Sequence, residues 1–162
     1  MLARKLRPLG ILAAVMIWVA AAGCGSSVPT TNLKVTPVKG KVTMGGQPFP
    51  EATVSLILQD PPPNDYLGSA GTTDAQGNFE IMTGTQKGAP AGKYTVIVSK
   101  TVGADGKPFV NDPDSGMDAQ MMEASGDVKE LVPATHSDAG ESQTTLTVTD
   151  GTPVTDLTIT IP

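Results

Sequence analysis

The chain of 162 residues has one cysteine and one histidine. That excludes an internal disulfide framework and any zinc cluster built from Cys and His. Basic residues are scarce: eleven Lys and Arg stand against sixteen acids, for a net charge of −5. A nucleic-acid surface needs clustered cations, so none is expected. Aromatics make up only 4% of the residues, so a core must come mainly from aliphatic side chains. Gly and Pro number 18 and 14, a high share that still falls short of low-complexity composition. No apolar run reaches the ~20 residues that a membrane-spanning helix requires. The length fits one domain.

What is present begins at the N-terminus. Arg4, Lys5 and Arg7 precede an apolar run from Leu9 to Ala22, and no acid occurs before Glu51. A positive head, a short apolar stretch and a small-residue exit read as an export signal. The run ends in Ala21-Ala22-Gly23-Cys24, which resembles the lipobox of bacterial lipoproteins. The resemblance implies cleavage after Gly23 and diacylglyceryl transfer to the sulfur of Cys24. Ala21 departs from the larger aliphatic residue usual in that family. Ala20-Ala21-Ala22 also fits an ordinary signal peptidase site, which would leave a soluble secreted chain with a free thiol. The expected organisation is a signal peptide over 1–23, a lipidated tether over 24–35 and one domain over 36–162. Beyond residue 23 there is no Arg, and eight Lys against sixteen acids leave −8. That excess favours solubility and disfavours flat contact with anionic lipid.

Thr and Val then alternate with period two. Residues 37–44 (PVKGKVTM) predict a strand with Val38 and Val42 inward, and Gly45-Gly46 a tight reversal. Residues 52–58 place Ala52, Val54, Leu56 and Leu58 on one face; Ile57 on the other predicts a strand covered on both sides. Ser69–Thr73 and Phe79–Met82 flank an Asp74–Asn78 turn, and Tyr94, Val96 and Val98 share a face further on. Leu146 and Val148 point inward from Thr144–Thr149. Leu157, Ile159 and Ile161 do so from Val154–Ile161, and Asp150-Gly151 between them reads as a hairpin turn. About seven short strands imply an all-β sandwich. Thr101–Leu131 is the long insertion loop, where a specific function is most expected.

The segments VKGKVTMGGQPFPEATVSL, GTTDAQGNFEI and APAGKYTVIVSK resemble, in order, carboxypeptidase regulatory-like or transthyretin-like domains. The resemblance covers roughly 36–162 and implies a seven-stranded prealbumin-like β-sandwich. Its most specific piece is Thr73-Asp74-x-x-Gly77-x-Phe79 followed by Pro90-Ala91-Gly92-x-Tyr94. Pro133 to Asp138 looks like the family's Pro-x-x-Tyr-x-Asp element, with His136 where an aromatic is common. The family shares a fold and no common chemistry. Related hydrolases of purine breakdown and ring-cleaving dioxygenases need more than one His.

Three further groups of residues bear on chemistry. His136-Ser137-Asp138 has the residue types of a hydrolase triad, yet adjacent side chains diverge where a triad must converge. Asp112, Asp114, Asp118 and Glu123 approach EF-hand spacing, but Met117 occupies the position of the required glycine, so a solvated acidic loop is expected. Met117, Met121 and Met122 fit one side of a short helix packed on the sandwich edge. The sequence therefore predicts no catalytic site, cofactor or metal. It predicts a lipid-anchored binding module of the cell envelope, on the outer membrane or a periplasmic or extracellular face, held to the membrane at Cys24. Its expected partner is an envelope protein or a glycan, not nucleic acid; the alternative is a small hydrolase using His136.

Overall fold

The computed structural model describes residues 33–63, 66–109, 122 and 124–162. It is an all-β sandwich. The strands in chain order are β1 (Val35–Thr36), β2 (Val38–Met44), β3 (Gln47–Pro48), β4 (Thr53–Leu58), β5 (Ser69–Thr72), β6 (Asn78–Glu80) and β7 (Met82–Thr83). There follow β8 (Gln86–Lys87), β9 (Ala89–Pro90), β10 (Gly92–Ser99), β11 (Thr101–Gly103), β12 (Val128–Glu130), β13 (Thr145–Val148) and β14 (Val154–Ile161). A short helix, α1 (Ala134–Ser137), interrupts the strands before β13.

The larger sheet is antiparallel throughout, in the order β13-β10-β4-β5-β7-β8. The facing sheet is built on β2, with β14 parallel to it on one side and β3 and β6 antiparallel on the other. The predicted inward faces meet between the sheets. Val38, Val42, Val54, Leu56, Val96, Val98, Ile159 and Ile161 are all buried, and Phe79 and Tyr94 fill the larger gaps. Tyr94 donates its phenol hydrogen to the Pro90 carbonyl at 2.7 Å, so the one polar atom of the ring is satisfied inside the core.

The Gly45-Gly46 reversal forms as expected, with φ of 56° and 78° joining β2 to β3. The Asp74 turn also holds. Its Oδ1 accepts the backbone N–H of Gln76 at 2.9 Å and of Asn78 at 2.8 Å, and Gly77 takes φ 77°. Hydrogen bonds to the ionised form, first from the Asn78 backbone and then from its side-chain amide and Gln76, hold the Asp74 carboxyl below its ordinary 3.8. A depressed folded pKa contributes stability above the ordinary value and loses it as pH falls through the folded one. Asp74→Ala is therefore expected to unfold at lower urea than the parent at pH 6, with a narrower gap at pH 3, below the ordinary carboxylate value. Parallel urea curves whose gap is the same at both pH values would contradict this role.

Three expectations change. Ile57 is 41% exposed, so the outer face of β4 is not covered there; the residue breaks the polar side of the alternation and stays in solvent. Asp150-Gly151 does turn the chain, with Thr149 bridging Thr152, but β13 and β14 separate into different sheets. Pro153 follows that bridge without an N–H to continue a ladder, and Val154 instead donates to Pro37 O at 2.9 Å beside β2. The stretch from Phe79 to Met82 is likewise not one strand. β6 pairs with β2 and β7 with β5, and the buried Ile81 crosses between the sheets. Its N–H donates to Val38 O and its carbonyl accepts from Gly88 N, so the crossing leaves neither group unpaired.

Candidate functional site

The long insertion opens as a two-stranded ribbon. Thr101 pairs with Glu130, Val102 with Lys129 and Gly103 with Val128. The Glu130 carboxylate pins its base. One oxygen accepts from Ser99 Oγ at 2.6 Å and Thr101 Oγ1 at 3.2 Å; the other accepts from the N–H groups of Lys100 at 2.8 Å and Val132 at 2.9 Å. Four donors on one carboxylate fix where the ribbon leaves the larger sheet.

Between that base and the sheet lies a cleft of about 400 Å³, within the range of small-ligand sites. Its floor is a row of hydroxyls across three neighbouring strands: Thr72 of β5 pairs with Thr53 of β4, which pairs with Ser99 of β10. Thr53 and Thr72 are exposed. Phe109 lines the cleft, its backbone N–H held by Thr101 O at 2.9 Å. Lys100 and Glu51 line it as well. The Lys100 side chain is only 13% exposed; its ammonium donates to Pro50 O at 2.8 Å, lies 3.5 Å from a Glu51 oxygen and sits 5.4 Å from the centre of the Phe49 ring. Glu51 itself has φ 55°, the one non-glycine positive φ among the described residues. Backbone of that kind persists only where its surroundings hold it, and such residues cluster at functional sites. Here the buried ammonium binds the carbonyl just before it.

No sequence motif announced this cleft. Thr53, Thr72 and Ser99 read as ordinary outward positions of three strands, and only the register brings them into line.

The His136 group is placed differently from a triad. His136 lies on α1, half-buried, and its Nδ1 is buried without a hydrogen-bond partner. Ser137 Oγ turns to the carbonyls of Val132 and Pro133, both at 3.3 Å. Asp138 Oδ1 accepts from Gly140 N at 2.7 Å and Glu141 N at 3.3 Å, closing its own turn. Ser137 and Asp138 turn to separate backbone partners and not to His136.

Cys24, Asp112, Asp114, Met117, Asp118, Met121 and Glu123 lie outside the described residues. Met122 is half-buried, and its carbonyl accepts from Ser125 Oγ and Asp127 N. Among the described residues, no three of His, Cys, Asp or Glu come together to hold a metal, and no helix is long and apolar enough to cross a membrane.

The chain matches no protein-family model and no curated protein. Among solved structures it shows a likeness to a crystal structure of a 9R-lipoxygenase from Cyanothece, at 15% identity and a TM-score of 0.36. The match covers 83% of this chain and 18% of that one, so the chain spans less than a fifth of that protein's length. A likeness of that degree carries nothing over to this protein.

Proposed function

We propose that the protein is an exported, lipid-anchored, non-catalytic binding module of the bacterial cell envelope. The observation that carries this reading is the placement of Cys24. The only cysteine of the chain stands directly after a positively headed apolar run, in the setting Ala21-Ala22-Gly23-Cys24. Residues 25–34 (GSSVPTTNLK), a mostly polar tether, separate it from the first strand. Acylation there would anchor firmly, because each buried CH₂ contributes ~0.8 kcal/mol and two or three chains act together. The acid excess of the remaining chain keeps the sandwich off an anionic membrane surface, leaving its cleft and loops free to meet partners. The sequence's resemblance to carboxypeptidase regulatory-like or transthyretin-like domains accords with a sandwich scaffold and brings no function with it, and the divergent side chains around His136 lend no support to hydrolysis.

Fractionation tests the anchor. Expressed in a bacterium, the parent chain is expected in the membrane fraction, released by detergent and not by high salt. Cys24→Ser is expected in the soluble periplasm or to retain its uncleaved leader. A parent chain recovered in the soluble fraction would remove the anchor and leave a secreted sandwich.

A further inference from the structure

We infer that the cleft at the base of the β11–β12 ribbon is a binding site for a neutral saccharide. The inference deepens the binding-module reading and rests on it.

The argument starts from the floor. Thr72, Thr53 and Ser99 sit on adjacent strands in direct register, so their side chains repeat at the interstrand spacing of about 4.8 Å. Ser99 is engaged with Glu130, while the hydroxyls of Thr53 and Thr72 take no hydrogen bond within the protein among the described residues. Each hydroxyl both donates and accepts, which suits a ligand whose own groups are hydroxyls. An apolar ligand would strip them of water and give nothing back.

The walls narrow the class further. Among the described residues lining the cleft, Phe109 is the one aromatic side chain, an apolar surface on which the C–H face of a pyranose can rest. Lys100 and Glu51, also lining the cleft, supply one cation and one anion side by side. Their charges offset, so the rim does not select a phosphate or a carboxylate. The Lys100 ammonium is already committed to Pro50 O and the Phe49 ring, which leaves Glu51, 63% exposed, as the acceptor for a sugar hydroxyl. A ring-sized cleft with hydroxyls below, one aromatic wall and a charge-balanced rim fits a sugar unit better than an ion or a lipid.

The test uses the full-length protein in a zwitterionic detergent without sugar groups, with maltose, cellobiose and N-acetylglucosamine as probes and saturation-transfer NMR as the readout. At least one probe is expected to receive saturation, strongest at its ring C–H protons. Phe109→Ala is expected to weaken binding about tenfold. Thr72→Val, isosteric and on an exposed strand face, is expected to weaken it about threefold or more, whereas Thr158→Val on β14 leaves it unchanged. No transfer to any probe, or equal transfer in the parent, Phe109→Ala and Thr72→Val, overturns the inference. Cys24→Ser is expected to bind the sugars as the parent does, so loss of the anchor and loss of the site are read separately. Cleavage of a bound disaccharide would support the site and overturn the non-catalytic reading.

Discussion

Tyr94→Ala lowers the unfolding free energy by about 4 kcal/mol, the cost of emptying a large aromatic site in a closed core. For a sandwich of this size that corresponds to a fall in Tm of roughly 15 °C. Tyr94 is 0% exposed and stands mid-sheet, flanked in register by Leu58 on β4 and Leu146 on β13. Neither neighbour can collapse into the space without breaking its own strand. The phenol adds a second effect, because its hydrogen bond to Pro90 O ties β10 to β9, and β9 pairs with β1. Tyr94→Phe keeps the ring and leaves that carbonyl without its donor, for a smaller cost of about 1–2 kcal/mol. Burial also pushes the Tyr94 phenol up to about 12 from its ordinary 10.0. The folded state then holds this proton more tightly than the unfolded chain, so stability falls as pH rises from 10 toward 12. That alkaline loss should be reduced in Tyr94→Phe. Thermal and urea unfolding of the two variants check the account; a Tyr94→Ala protein within 1 kcal/mol of the parent would contradict the packing described, on a scale where such sites cost about 3–5 kcal/mol.

Gly40→Ala is the second large effect, expected at about 3 kcal/mol, from overpacking that the backbone cannot relieve. Gly40 lies between Val38 and Val42 on the inward face of β2, with Leu157 of β14 on one side and Phe79 of β6 on the other. A Cβ there would stand 2.1 Å from the Leu157 carbonyl oxygen, 2.7 Å from Phe79 Cζ and 2.9 Å from Leu157 Cβ. The first contact is with backbone, so β14 must move away from β2 as a unit. Lys41 is next in sequence and faces solvent; Lys41→Ala is expected to change stability by no more than about 0.5 kcal/mol. Urea midpoints for this adjacent pair separate a steric effect at position 40 from general sensitivity of the strand. A Gly40→Ala midpoint equal to that of Lys41→Ala would mean that β14 does not lie against β2 as described.

These two residues also show what the sequence made legible. Tyr94, Val96 and Val98, like Val38 and Val42, announce their faces because a half-buried strand alternates with period two. Short polar turns such as Asp74–Asn78 carry their chemistry within five consecutive residues. Partner choice is different. That β14 would lie parallel to β2, and not antiparallel to β13, depends on contacts between the two ends of the domain, and Asp150-Gly151 signals only a local turn. Gly40 reads as a weak spot in a strand until Phe79 and Leu157 are placed over it. The cleft was hidden for the same reason. Its hydroxyl row exists only through the registers of β5 with β4 and β4 with β10, and its charged rim through the approach of Lys100 to Pro50. The insertion was expected to carry function, and its base does line the cleft, but the ribbon and the Glu130 clamp had no local signature.

The most direct test of the central claim is the intact mass of the protein extracted in mild detergent from bacterial membranes. A lipid-anchored module predicts a chain beginning at Cys24, heavier than residues 24–162 by two or three acyl chains and their glyceryl group. A chain beginning at Gly23 with no added mass, recovered from the soluble fraction, would contradict it.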